Sequence, residues 1–206
     1  ITVISKEDHP AYFRPLISYY LEGKSKADNI YCRPADFYEK NGCEVVNGEV
    51  TAIDKDNNTV ALKSGEEIAY DKLCICTGSS PFVPPMKGLE SVENKFTFLT
   101  IDDSYAIEKV IDKDSRALII GAGLIGLKCA EGLRDRVKSV TVCDLAPRVL
   151  SSILDDECAA IVQKHLEDCG IEFSLGNTAD HFEGNIAYMK DGSVIDFDIL
   201  VSLDRK

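Results

Sequence analysis

The chain has 206 residues, 45% of them hydrophobic, enough to bury one large core or two small ones and too apolar for a disordered segment. Its formal net charge of −12 makes nucleic acid and anionic membrane surfaces poor partners. No apolar run reaches the roughly 18 residues of a membrane-spanning helix, and no signal peptide is recognisable, so a soluble cytoplasmic protein is expected.

The chain opens on "ITVIS", Ile1 to Ser5, an apolar run that reads as a buried strand. From Asn41 to Gly78 a run of short alternating segments, with turns at Gly48 and at "KSGEE", predicts an antiparallel meander followed by a hydrophobic strand from Asp71. "LTIDDSYAIEKVIDKDSR" predicts a bridging helix over 102–113, capped by Asp102 or Asp103. Arg116 to Leu133, "RALIIGAGLIGLKCAEGL", is a short strand, then Gly121, Gly123 and Gly126 in a G-x-G-x-x-G pattern, then a helix. The first glycine permits a tight turn, the second lets backbone approach a pyrophosphate, and the third lets helix and strand pack closely. The helix start offers N–H groups to phosphate oxygens. Gly121, Ala122, Gly123, Leu124, Ile125 and Gly126 are therefore expected to line a dinucleotide site.

The next strand, "SVTVCD", ends on Asp144, eighteen positions after Gly126 and close to the spacing of a ribose-binding carboxylate. A carboxylate there accepts bonds from a 2′-hydroxyl and repels a 2′-phosphate, which favours NADH over NADPH; Arg148 nearby weakens that preference. The alternative for Asp144 is a strand-end turn cap with no ligand. "SILDDECAAIVQKHLEDCGI" reads as a helix with Ile161, Val162, Leu166 and Cys169 in its apolar stripe and Gly170 just past its end. His9, His165 and His181 carry no assigned role. The eight cysteines form no Cys-x-x-Cys pair and no zinc spacing, so most are expected to be small buried residues, without a metal site.

Two stretches match each other. Asn41–Gly78 and Cys169–Asp204 share a glycine before a short strand (Gly42, Gly170), a turn glycine (Gly48, Gly176), a hairpin turn and a closing hydrophobic strand. In the second copy the meander follows strand, glycine loop, helix and strand, and the last of these, Val140 to Asp144, has Ile1 to Ser5 as its counterpart. The expectation is that the first copy's own strand, glycine loop and helix precede residue 1. The fold expected is α/β, with two Rossmann-like units in three layers, each bearing a β-meander, and the first lacking its opening βα element.

These residues resemble a known family. "HPAYFRPLISYYLEGK", "FYEKNGCEVVNGEVTAID", "YDKLCICTGSSPFVPP" and "GAGLIGLKCAEGL" are similar to the FAD-dependent pyridine nucleotide-disulfide oxidoreductases, nearest the branch of rubredoxin reductases, NADH oxidases and the flavin domain of nitrite reductase large subunits. The resemblance implies an FAD-binding domain over 1–113 and an NAD-binding domain over 114–206, truncated at the front and the back respectively. It implies FAD contacts at Glu7 (ribose carboxylate, two residues later than strict alignment with Asp144), Arg14, Val50 (backbone to adenine), Thr77 and Gly78. A surface cation beside Pro15 is the alternative for Arg14. It implies hydride transfer from NADH to flavin, with electrons passed to an external acceptor such as a small redox protein. The alternatives are an NADH oxidase or disulfide reductase, and a non-catalytic NADH-binding module. No catalytic acid, base or nucleophile is named.

The chain departs from the family pattern in three places. Ala11–Gly23, where disulfide reductases carry a redox cysteine, holds none. Lys128 stands where many relatives have an acid. Leu203–Lys206 lack the closing glycine turn of the first copy, and the interface domain that would form a dimer in a full-length enzyme is not seen. The chain alone is expected to bind NADH weakly and to retain little or no FAD.

Overall fold

The computed structural model describes residues 1–80 and 83–202. The expectation for Leu203–Lys206 lies outside the described residues. Two compact units emerge: residues 1–13 with 31–79, and residues 14–30 with 80–206. Residues 14–30 group by contact with the second unit for a physical reason. Ile17, Leu21 and Ile30 are all buried, and helix α1 (Ile17–Leu21) packs on helices of the second unit. Gly132 lets that contact close, since a Cβ there would meet the Ser18 carbonyl oxygen at 3.0 Å and the Leu21 side chain at 3.4 Å.

In the first unit β1 (Thr2–Ser5) pairs in parallel with β2 (Glu44–Asn47), which follows the single-turn helix α2 (Phe37–Lys40). The meander β3 (Val50–Asp54), β4 (Thr59–Leu62) and β5 (Glu67–Ala69) is antiparallel, as its alternation predicts. Val60 and Leu62 of the central strand are its buried residues. The predicted strand from Asp71 does not form. Residues 72–80 are irregular and exposed, with Ile75 64% accessible, because no strand among the described residues pairs with them.

The second unit is built on a five-stranded, all-parallel sheet of order β6–β13–β7–β8–β9. Its strands are β6 (Lys95–Phe96), β7 (Arg116–Ile120), β8 (Ser139–Asp144), β9 (Ile171–Leu175) and β13 (Ile199–Ser202). A parallel sheet covered on both faces needs apolar residues at nearly every position, and "ALII" and "ILVS" supply them. Helices α3 (Ile101–Glu108) and α4 (Leu124–Arg134) lie beside α1, with α4 packed on β7 and β8. The second meander, β10 (Ala179–Glu183), β11 (Ile186–Met189) and β12 (Val194–Asp196), contributes Phe182, Met189 and nearby Phe197 to a core shared with Leu118, Ile120, Cys143 and Leu200. The parallel pair β1–β2 thus repeats β8–β9, and each pair is followed by a three-stranded meander, as the internal repeat predicts.

Three expectations need correction. The bridging helix starts at Ile101, not 102, and ends at Glu108, not 113. Its N-cap is Thr100, whose hydroxyl accepts from Asp103 N–H at 3.2 Å, while the Asp103 carboxylate accepts from Thr100 N–H at 2.8 Å. Asp103 is therefore the third residue of a capping box rather than the cap. Asp112 then accepts from the backbone of Asp114 and Ser115, closing a turn where the helix was expected to run on. The cysteines are mostly not buried: Cys129 and Cys143 are, Cys74, Cys76 and Cys158 are exposed, and the others lie between. Helix α5 (Asp156–Asp168) buries only Ala159, and Ile161 of its expected stripe is 71% exposed.

The starts of β7 and β13 are locked together by Asp198. Its carboxylate accepts from Arg116 N–H at 2.8 Å and from the Arg116 guanidinium at 3.0 and 3.2 Å. The guanidinium holds the Asp198 carboxyl below the usual carboxylate range. A depressed folded-state value means that this stabilisation is present above the unfolded value and lost as pH falls through the folded one. Asp198→Asn is expected to cost about 1 kcal/mol near neutrality, the pair being partly exposed. In denaturation curves the gap to the parent should shrink below about pH 4; a gap that is constant with pH would count against the ion pair.

Candidate dinucleotide-binding site

Strand β7 ends in a glycine turn because only glycine holds φ +116° without strain, and Gly121 does so. Gly121 N–H donates to the Cys143 carbonyl at 2.8 Å, which ties the turn to the end of β8. The chain then extends through Gly123 and enters α4 at Leu124. The first turn closes with Leu127 N–H donating to Gly123 C=O at 3.0 Å, so the N–H groups of Leu124, Ile125 and Gly126 have no carbonyl four residues back within the helix. A Cβ added at Gly123 would meet nothing within 4 Å: the space in front of the helix start is open.

Asp144 closes the other side. Its Oδ2 accepts from Ala122 N–H at 2.6 Å and its Oδ1 from Ala146 N–H at 2.7 Å. The carboxylate thus binds the glycine turn to the loop after β8. A second tie runs from Leu150 N–H to the Ala122 carbonyl at 2.9 Å, with Leu150 in the left-handed region at φ +50°. Arg148 is engaged in the same loop, with Nη1 3.1 Å from Asp156 Oδ1 and Nη2 donating to the Ser151 carbonyl at 3.3 Å.

The result is a cavity of about 390 Å³ lined by Gly121 through Gly126, Asp144 and Ser151–Ile153. The seven residues expected at the second nucleotide site therefore face one space, at the carboxyl ends of parallel strands where such sheets bind ligands. Leu124, Leu145 and Ile153 are 60%, 68% and 61% exposed beside the glycine turn and Asp144, apolar surface that a flat ligand would cover. Sequence reasoning missed the Leu150 tie and the Ser151–Ile153 wall, since neither carries a motif. The thiols nearby are inert: burial pushes Cys143 up to about 12 and raises Cys129 well above its ordinary value.

The residues expected at the first nucleotide site divide between the two units. Glu7 lies in a groove of about 590 Å³ in the first unit with Ser5, His9, Arg33 and Tyr38, and it accepts from Tyr12 O–H at 2.6 Å. Val50 begins β3, 38% exposed. Thr77 and Gly78 are exposed in the irregular segment. Arg14 belongs to the second unit, where Nη1 donates to the Leu99 carbonyl at 3.1 Å.

Residues 1–203 match the pyridine nucleotide-disulphide oxidoreductase family. The chain belongs to that family. Its members bind FAD and NADH or NADPH, and the fold described above is theirs. The chain is 36% identical over 214 residues to an NADH oxidase of Methanocaldococcus jannaschii, covering 98% of this chain and 47% of that protein. It is 33% identical over 206 residues to the assimilatory nitrate reductase electron transfer subunit of Bacillus subtilis, covering 98% of this chain and 27% of that protein. Among solved structures, a covalent putidaredoxin reductase–putidaredoxin complex superposes with a TM-score of 0.90 at 26% identity, over 98% of this chain and 51% of that one. The chain thus spans about half or less of the length of these relatives. No helix among the described residues is long and apolar enough to cross a membrane.

If the Asp144 carboxylate organises the cavity, Asp144→Ala leaves the Ala122 and Ala146 N–H groups without their acceptor. A loss of about 1.5–3 kcal/mol is expected for hydrogen bonds to a charged acceptor. Chemical denaturation measures it, and a change under about 0.5 kcal/mol, the range of a neutral surface substitution, would contradict the assignment.

Proposed function

We propose that this chain supplies the nucleotide-binding machinery of an FAD-dependent NADH oxidoreductase that passes electrons to an external acceptor such as a small redox protein. The observation that carries the reading is the open cavity in front of α4, with the helix N–H groups on one side and Asp144 on the other. Those N–H groups suit the pyrophosphate, and the positive end of the α4 dipole adds to the attraction. Asp144 donates nothing; it accepts, and a carboxylate with one backbone bond per oxygen keeps further acceptor capacity for ribose hydroxyls. The same charge disfavours a 2′-phosphate. Arg148, held by Asp156 and the Ser151 carbonyl, is committed elsewhere, which strengthens the preference for NADH.

FAD, when bound, supplies hydride acceptance and the conversion of electron pairs into single-electron steps. The residues of this chain expected to contact it are Glu7, Val50, Thr77 and Gly78 in the first unit and Arg14 in the second, and no step is assigned to them. A thiol shuttle is disfavoured: the Ala11–Gly23 segment has no cysteine, and the thiols by the glycine turn are held protonated. Likeness to the Methanocaldococcus NADH oxidase favours, as a second reading, a reaction in which oxygen takes the electrons. A cytoplasmic location fits both readings.

Titrating the purified chain with NADH and NADPH tests the proposal. NADH is expected to bind roughly tenfold tighter than NADPH, and Asp144→Ala to remove most of that margin. Equal binding of both, or of neither, would refute the reading. A second check is absorbance. The exposed, irregular segment that carries Thr77 and Gly78 predicts that the purified chain holds little flavin, and a stoichiometric yellow chromophore would contradict that.

A further inference from the structure

The irregular segment from Asp71 to Ser80 is exposed throughout. Within it Cys74 and Cys76 stand two residues apart, the spacing at which an extended backbone sends side chains to one side. Their sulfurs lie 3.4 Å apart and share a hydrogen bond. A disulfide would need about 2.05 Å, and both residues are free thiols. The bond from Cys74 raises the Cys76 thiol above its ordinary value, so the pair resists becoming two adjacent thiolates. Two nucleophilic sulfurs are thus held side by side on an open surface, well apart in sequence from the glycine turn and Asp144.

We propose that Cys74 and Cys76 form a chelating dithiol for a soft, thiophilic centre that takes two sulfur donors, with trivalent arsenicals as the ligand class. The sulfur separation selects the class. Two sulfurs each about 2.3 Å from a shared centre lie about 3.3 to 3.8 Å apart when the angle at that centre runs from a right angle to tetrahedral. The observed 3.4 Å falls near the right-angled end, where a pyramidal trivalent centre sits. A linear two-coordinate ion would need the sulfurs about 4.6 Å apart. A structural zinc ion needs four ligands, and among the described residues no group of three His, Cys, Asp or Glu side chains could hold a metal. The step is a condensation. Two S–H bonds break, two As–S bonds form, and the oxygen of an organoarsenic(III) oxide leaves as water with both protons, so nothing is oxidised or reduced. Once one sulfur has bound, the second attacks within the same molecule, which a single exposed thiol such as Cys158 cannot match.

The test titrates the full chain, kept reduced with a phosphine, with phenylarsine oxide, and follows intact mass and free-thiol content. One equivalent is expected to add one phenylarsenic group and consume two thiols, with peptide mapping placing the group across Cys74 and Cys76. An excess of monothiol should leave the adduct in place, and a small dithiol should strip it. Cys74→Ser and Cys76→Ser change exposed positions and should each weaken binding on the order of a hundredfold or more. Cys158→Ser should leave it unaltered. An adduct that maps to other cysteines, full affinity in either the Cys74→Ser or the Cys76→Ser chain, or loss of the adduct to monothiol would overturn the proposal.

Discussion

The carboxylate of Asp144 is the fastening on which the second unit's chemistry depends. A parallel sheet leaves the carboxyl ends of its strands as loose turns, and two of those turns, after β7 and after β8, must stay a fixed distance apart to hold a nucleotide between them. Asp144 does this with one oxygen on Ala122 N–H and the other on Ala146 N–H. The Gly121 bond to the Cys143 carbonyl and the Leu150 bond to the Ala122 carbonyl reinforce it. Each of these bonds satisfies backbone of the loops and leaves the first N–H groups of α4 for a ligand. The same residue that shapes the site is thus the one placed to select among its ligands.

Burial separates the two copies of the repeated design. In the second unit β7 has parallel neighbours on both sides, and the meander seals the sheet's far face through Phe182, Met189 and Phe197. In the first unit, among the described residues, β1 and β2 pair only with each other, and Val60 and Leu62 are the buried apolar residues of its meander. The segment equivalent to β13, residues 72–78, has no strand on either side among the described residues and stays irregular. Strand formation here follows the availability of neighbours rather than local propensity, since "KLCIC" is as apolar as "ILVS".

That contrast explains how much was legible in the amino-acid sequence. The glycine turn, Asp144 and both meanders were legible because each depends on local spacing: three glycines, one strand length, a hairpin turn. The parallel pairing of Thr2–Ser5 with Glu44–Asn47 followed from the repeat alone. What failed depended on tertiary neighbours. Cysteine exposure and the strand at 72–78 are set by what packs nearby. The start of α3 was missed by a subtler competition, because Thr100 and Asp103 both suit a helix N-terminus and only their reciprocal bonds decide which is the cap. Lys128 stood out as a charge reversal, but its place over Tyr19 needed the packing of α1 on α4 to be seen.

The central claim is that the turn following β7 and the loop following β8 form one nucleotide cradle. Amide-resolved NMR of the chain titrated with ADP-ribose tests it most directly. The account predicts saturable shifts concentrated in the Gly121–Gly126 amides and in the loop from Asp144 to Ile153, with the meander β10–β12 unmoved. Shifts centred on another surface, or none at saturating ligand, would contradict it.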